Sequence, residues 1–397
     1  MSITSINNSE ELKSYLEKNS FFNGLYIREL HNSLEGKKPK SSSLILYLIK
    51  SLGFLFFHFL LTLRPRTKFS KSKNIYLSPD FLFDIKSGFH KYWENIPNQI
   101  DLSEVEFAFF SNTDDRLFSR KKGISKQIDS FFTFRSFIRL LIVGFKFHLF
   151  FIKIFLDFFI KNLKSISYVK SILNLGSLND YFLYYLLEDF SRNKRTSSTK
   201  VILSGEFQFW ELGLFNYSSK KRFLYQHSGI RFNDPRISFF QRKNNQVNLL
   251  VTSSLQREYL KHLKFINIGI SKNYRNNDLW IKVDHLKEKE VFFGSLDISL
   301  DMLILAKLGE KVYYKTHPSL TFKNHNNNWN DLEEKIYPIV YSQSAISKNL
   351  LESKVGFKVI FKKNYEMSIL EVKSYLENTK ASSSIILKDY YLSEITF

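Results

Sequence analysis

Late in the chain a β-type run, KVYYK (311–315), passes directly into Thr316, His317 and Pro318. Proline fixes its own φ and keeps the preceding residue extended, so the His317 imidazole is held at the strand end. There His317 can donate to a phosphate oxygen, and Lys315 adds charge beside it. The next run, YPIVYS (337–342), leads into a helical stretch over 345–353, with Ser342 and Ser344 at the turn. A helix N-terminus offers unpaired N–H groups and partial positive charge, which suits a phosphate, although capping is the commoner role for one serine. A third strand end, Gly294-Ser295, opens a loop where glycine lets a ligand approach the backbone closely.

A second set lies in the first half. SGEFQFWE places Glu206 directly after a strand, with Gln208, Trp210 and Glu211 beyond, and YQHS places Gln226, His227 and Ser228 after the next. An acid and an imidazole at neighbouring strand ends can serve as general bases for a hydroxyl, or equally as a helix cap and a hydrogen-bonded histidine. Metal chemistry is not expected. Asp114-Asp115 lacks D-x-D spacing, and Asp297 and Asp301 fall on a helical stretch. Cationic side chains and helix dipoles would do the work of a divalent cation, with no cofactor.

Short β-like runs alternating with helical stretches must position these residues. Those of the first half are 74–78, 105–111, 200–204, 222–226 and 248–253; those of the second are 290–294, 311–315, 337–342 and 357–361. Such alternation indicates α/β domains with parallel sheets, and runs of Val, Ile, Phe and Tyr without strict polarity alternation indicate sheets covered on both faces. The polar stretch 267–278 reads as an interdomain linker. The expected organisation is an N-terminal polar helix and apolar segment (1–66), a Rossmann-like domain (67–270) and a second α/β domain (271–397). Ligands of such sheets bind beyond the carboxyl ends of the strands.

Cysteine is absent and the N-terminal residues lack the apolar core of a secretory signal, so cytoplasmic residence is the expectation. Scarce Gly (14) and Pro (7) argue against a turn-rich all-β fold. The net charge of +20 favours polyanionic partners. Basic residues gather beside apolar segments rather than in a nucleic-acid module, so no nucleic acid is expected. The stretch 43–63 reaches the ~20 residues of a membrane span but holds Lys50 and His58 and is flanked by cations on both sides. From Phe131 to Lys164 the chain is mostly apolar, broken by Arg135, Arg139, Lys146, Lys153, Asp157, Lys161 and Lys164 at intervals of 4, 7, 7, 4, 4 and 3. On one helix these fall within an arc of roughly 80°. Both segments suit helices lying in an anionic membrane interface, peripheral or monotopic. The alternative is a hairpin packed on the protein with its charges wet, in which His148, off the stripe, is a packed histidine.

The order strand–KTHP, then strand–YSQSA with a following helix and the FKVIF strand, resembles the HP and serine motifs of bacterial sialyltransferases and of Kdo and capsule-polysaccharide transferases. SGEFQFWE and YQHS are similar to the acid-aromatic-acid and QH motifs of a wider group of surface-carbohydrate biosynthesis proteins. The resemblance covers about 200–361. It implies a GT-B arrangement of two facing Rossmann-like domains and transfer of a sugar, sialic acid-like or Kdo-like, from a nucleotide donor to a lipid-linked or surface glycan at the cytoplasmic face of the inner membrane. His317, Ser342 and Ser344 would meet the donor phosphate, joined by Lys315, Gly294 and Ser295. Gln208, Glu211 and Gln226 would lie on the acceptor side, with Glu206 the base and Glu211 and His227 its rivals. The D/E-D/E-G motif of sialyltransferases has no counterpart here. Two rivals are a CDP-polyol phosphotransferase and a non-catalytic basic membrane-binding protein.

Overall fold

A computed structural model describes residues 23–27, 44–70, 73–80, 96–98, 100–111, 121–122, 125–161, 175–194, 199–205, 207–217, 221–226, 247–251, 267–271, 289–294, 312–315, 336–341, 358–361 and 386–391, with isolated positions between them. The chain divides into two compact units; among the described residues the first holds eight strands and three long helices and the second five strands.

The first sheet comprises β1 (Asn74–Pro79), β2 (Val105–Phe110), β3 (Lys121–Lys122), β4 (Ser125–Gln127), β5 (Val201–Gly205), β6 (Arg222–Gln226), β7 (Asn248–Val251) and β8 (Asn267–Ile270). Its order is β3-β4-β2-β1-β5-β6-β7-β8, and every neighbouring pair is parallel except β3–β4. The order reverses at β1, the topology of a doubly wound, Rossmann-like sheet with its switch point between β1 and β5. Tyr76, Phe107, Ile202 and Tyr225 share one face with Trp93 and Ile96. The alternate residues Ile75, Leu77, Val201, Leu203 and Leu224 are equally buried, so both faces are covered and the runs show no polar alternation. The second sheet, β9 (Lys289–Phe293), β10 (Val312–Lys315), β11 (Ile336–Tyr341), β12 (Lys358–Phe361) and β13 (Ile386–Tyr391), has the order β10-β9-β11-β12-β13 and is parallel throughout.

One expectation is corrected here. Residues 267–270 are not linker: they form β8, parallel to β7, with Ile268 opposite Leu249 and Gly269 opposite Leu250. Asn267 and Gly269 disguise the strand. A Cβ on Gly269 would sit only 3.0 Å from the Leu250 side chain, which favours the absence of one.

The helices are α1 (Leu44–Leu61), α2 (Phe134–Lys161) and α3 (Leu175–Arg192). Leu178, Phe182, Leu186, Leu187 and Phe190 bury α3 along its length. A 3-10 turn over Phe209–Phe215 packs on it, with Phe209 stacked on Tyr184 at 5.0 Å and 9°. Gly213 makes that approach possible: a Cβ there would lie 2.1 Å from the Tyr184 carbonyl oxygen, which is backbone and cannot turn aside. Gly213→Ala should lower stability by about 2 kcal/mol, read from the midpoint of urea unfolding.

Helices α1 and α2 lie antiparallel. Ser51 Oγ meets His148 Nε2 at 2.9 Å, Gly144 lies against Leu55, and the Phe59 and Phe137 rings are 5.5 Å apart. His148 is thus a packed histidine, with burial lowering its pKa. The ring of His58 sits 4.2 Å from that of Phe182 on α3, and its Nδ1 meets the Phe54 carbonyl. The unbroken charged arc on α2 needs correction. Arg139 turns to α3, pairing with Glu188 and lying 4.2 Å over the Tyr185 ring, because a buried carboxylate outweighs solvent there. Arg135 and Lys146 remain exposed; the side chains from Lys153 to Lys161, and Lys164, lie outside the described residues. Phe137, Leu140, Val143, Phe147 and Phe150 pack inward, while Phe134, Ile138, Leu141, Ile142, Phe145, Leu149 and Ile152 stand exposed. With Ile49, Leu52, Phe56 and Leu63 they make up most of the exposed large apolar side chains among the described residues; Leu102, Tyr217, Met302 and Tyr313 are the others. No described helix is long and apolar enough to cross a membrane.

Candidate functional site

In the first unit the sequence candidates converge on the carboxyl ends of β5 and β6. Gly205 ends β5 and pairs in register with Gln226, the buried last residue of β6. Glu211, in the 3-10 turn, is fully buried, its carboxylate against Gly205: a Cβ on that glycine would come 2.9 Å from Oε2 and 2.1 Å from Leu224 Cδ1. Gly205 therefore makes room for the acid. The Gln208 carbonyl accepts the Glu211 N–H at 3.1 Å, fixing the turn that brings Glu211 back under the strand end. Trp210 packs edge-on against Phe110 at 5.1 Å, tying this bend to the end of β2. Gly205, Glu211 and Gln226 are thus brought together; Glu206 and His227 lie outside the described residues.

Three features of this edge escape sequence reasoning. Phe207 has φ 61°, in the left-handed region that a bulky side chain adopts only when its surroundings force it, and its ring is buried. The backbone at Phe207, leading into the turn, is consequently strained. The other two are Ser78 and Ser204, next in the register after Leu77 and Leu203 and so side by side at the switch point. Both are almost fully buried and neither hydroxyl has a hydrogen-bond partner. A buried unpartnered hydroxyl costs free energy, which marks the β1–β5 crevice as unusual. The only signal for them in sequence was a serine near the end of each run.

In the second unit, parallel pairing sets the ends of β9, β10 and β11 on one edge. Gly294 follows β9 and its N–H donates to the Lys315 carbonyl at 2.8 Å. A Cβ on Gly294 would lie 2.4 Å from Asp301 Oδ2 and 2.7 Å from the Tyr314 ring. Asp301 is fully buried and accepts a 2.7 Å hydrogen bond from the Tyr314 hydroxyl, so it is committed to the fold. Lys315, half-buried, has its ammonium 5.9 Å from the centre of the Phe293 ring, and burial pushes its pKa down to about 7. Tyr341 ends β11, immediately before Ser342. His317, Ser295, Ser342 and Ser344 lie outside the described residues, as do Asp114, Asp115 and Asp297. Among the described residues no cluster of His, Cys, Asp and Glu could hold a metal ion.

No family model, curated protein or solved structure matches the chain.

Proposed function

We propose that the chain is a metal-independent glycosyltransferase of GT-B type, taking a nucleotide-activated sugar on the second unit and a glycan acceptor on the first. The observation that carries this reading is the half-buried Lys315 beside Gly294 at the carboxyl edge of a parallel sheet. A lysine desolvated at such an edge gains most from a phosphate, because the anion restores the charge that burial disfavours. The motif resemblance of 311–318 and 337–345 supports the same assignment. On the other sheet, Gln208 and Gln226, beside the end of β5, supply acceptor-side groups.

In the proposed reaction the acceptor oxygen attacks the anomeric carbon and its proton passes to Glu206 or His227. The bond from that carbon to the donor phosphate oxygen breaks, and the electron pair leaves with the phosphate. Lys315 and His317, with the Ser342 and Ser344 hydroxyls, balance the charge that develops there. Glu211, sealed beneath Gly205, acts as a positioning residue for the end of β5.

The direct test is thermal unfolding of the full chain with CMP, CDP, UDP or GDP. One of these at ~100 times its dissociation constant should stabilise the fold by about 2.7 kcal/mol, raising Tm by a few degrees. No shift with any of the four would end the reading. A product containing a phosphodiester in place of a glycosidic bond would transfer it to a polyol-phosphate donor.

A further inference from the structure

The outward faces of α1 and α2 form one apolar surface. The helices are in register side by side, through Ser51 with His148 and Leu55 with Gly144, so their solvent faces adjoin. Ile49, Leu52 and Phe56 on one helix, and Ile142, Phe145 and Leu149 on the other, are 45–65% exposed. A Cβ built on Gly53 meets nothing within 4 Å. A surface of this extent is too costly to leave in water without an occupant.

Charge selects the occupant. The sequence of α1, and of α2 as far as Ile152, contains no Asp or Glu, and the charged side chains exposed beside the apolar face are Lys50, Arg135 and Lys146. Arg66 and Lys68, just beyond α1, are also exposed. A second copy of this chain docked face to face would bring these cations against their own equivalents, which opposes association. A sheet of anionic lipid headgroups satisfies both the apolar face and its fringe. No described helix is long and apolar enough to cross a membrane, and the inner faces, which hold His58 and the Arg139–Glu188 pair against α3, suit helices lying on a surface.

We propose that α1 and α2 lie together in the plane of an anionic bilayer surface, with Phe56 and Phe145 entering the acyl boundary and Lys50, Arg135 and Lys146 reaching the headgroup phosphates. Helix α1, ~27 Å long, would lie flat as one rail of this platform. The proposal is independent of the transfer reading, since it concerns a different face and needs no nucleotide.

The test is flotation of the full chain with phosphatidylcholine vesicles, with and without about one third phosphatidylglycerol. Binding is expected to the anionic vesicles and to weaken as salt rises. The pair Phe56→Ser and Phe145→Ser should lower partitioning by about 100-fold at unchanged Tm, because both rings are already more than half exposed in the folded chain. In a separate Phe145→Trp variant, brominated acyl chains should quench the new emission over that of the parent. Any of three results overturns the proposal: no flotation by the folded parent, equal flotation by the double variant, or a dimer in solution that the same two substitutions dissociate. If the double variant fails to fold, the tryptophan variant decides alone, and emission no more quenched than the parent's refutes insertion.

Discussion

Arg222→Met should lower the free energy of unfolding by about 3–5 kcal/mol, a larger loss than any surface charge could produce. The side chain is fully buried at the start of β6, and its hydrogen-bond acceptors are one hydroxyl and three backbone carbonyls rather than a carboxylate. Its guanidinium donates to the backbone carbonyls of Thr199 at 2.6 Å, Thr196 at 2.8 Å and Ser191 at 3.3 Å, and to Ser191 Oγ at 3.2 Å. Burial pushes its pKa down to about 10, which still leaves it charged at neutral pH. Carbonyl dipoles rather than an ion pair therefore hold the cation, and they belong to three places at once: the last turn of α3, the following loop and the entry to β5.

Methionine fills similar volume but leaves those carbonyls buried and unpaired, each costing about 1–3 kcal/mol before relaxation. Arg222→Lys should recover little, because one ammonium cannot span a fork of acceptors. The measurement is urea unfolding, in which the midpoint should fall while the slope stays constant. A loss under about 1 kcal/mol would mean that water replaces the guanidinium and that the joint is not closed. The effect reaches the candidate site through register. Arg222 pairs with Val201, and four residues later the same ladder sets Gln226 beside Gly205.

That ladder also shows what a sequence can and cannot disclose. The runs at 74–78, 105–111, 200–204 and 222–226 are legible because a strand covered on both faces must be continuously apolar, and all four form the centre of the first sheet. The strand β8 is hidden by Asn267 and Gly269, and β13 by Lys388 and Asp389 in mid-run, both at sheet edges where apolar continuity is not required. Side-chain direction is harder. Glu211 reads as an acceptor-side acid and rival base beyond a strand end, yet a 3-10 turn with a left-handed residue before it folds the carboxylate beneath Gly205. Arg139 fits a wet helical stripe by spacing, and only the position of Glu188 on another helix turns it inward. The hydroxyls of Ser78 and Ser204 become neighbours only through the pairing of β1 with β5, more than a hundred residues apart.

In the proposed transfer reaction, Lys315→Ala should lower kcat/KM by about 10²-fold, the scale lost when a charge that meets a leaving group is removed. Size alone would not separate a phosphate ligand from a structural lysine, but pH does. In the free protein burial brings the ammonium from its ordinary 10.5 to about 7. A donor phosphate would raise it again, so binding takes up a proton at any pH between 7 and the bound-state value. Nucleotide affinity should then be flat below pH 7 and fall by up to tenfold per pH unit above it. The stability of the unliganded chain runs the other way. Its folded pKa lies below the unfolded one, the unfolded state holds more protons between about 7 and 10.5, and this group's contribution to stability rises with pH across that window. A single titration thus has opposite signs in a binding assay and in an unfolding assay, which a general alkaline loss of structure cannot imitate. Lys315→Arg keeps the charge at every accessible pH, so it should retain part of the affinity and lose that component of the slope. An unchanged slope in the arginine variant would assign the titration to another group, and Lys315 would no longer be the phosphate ligand.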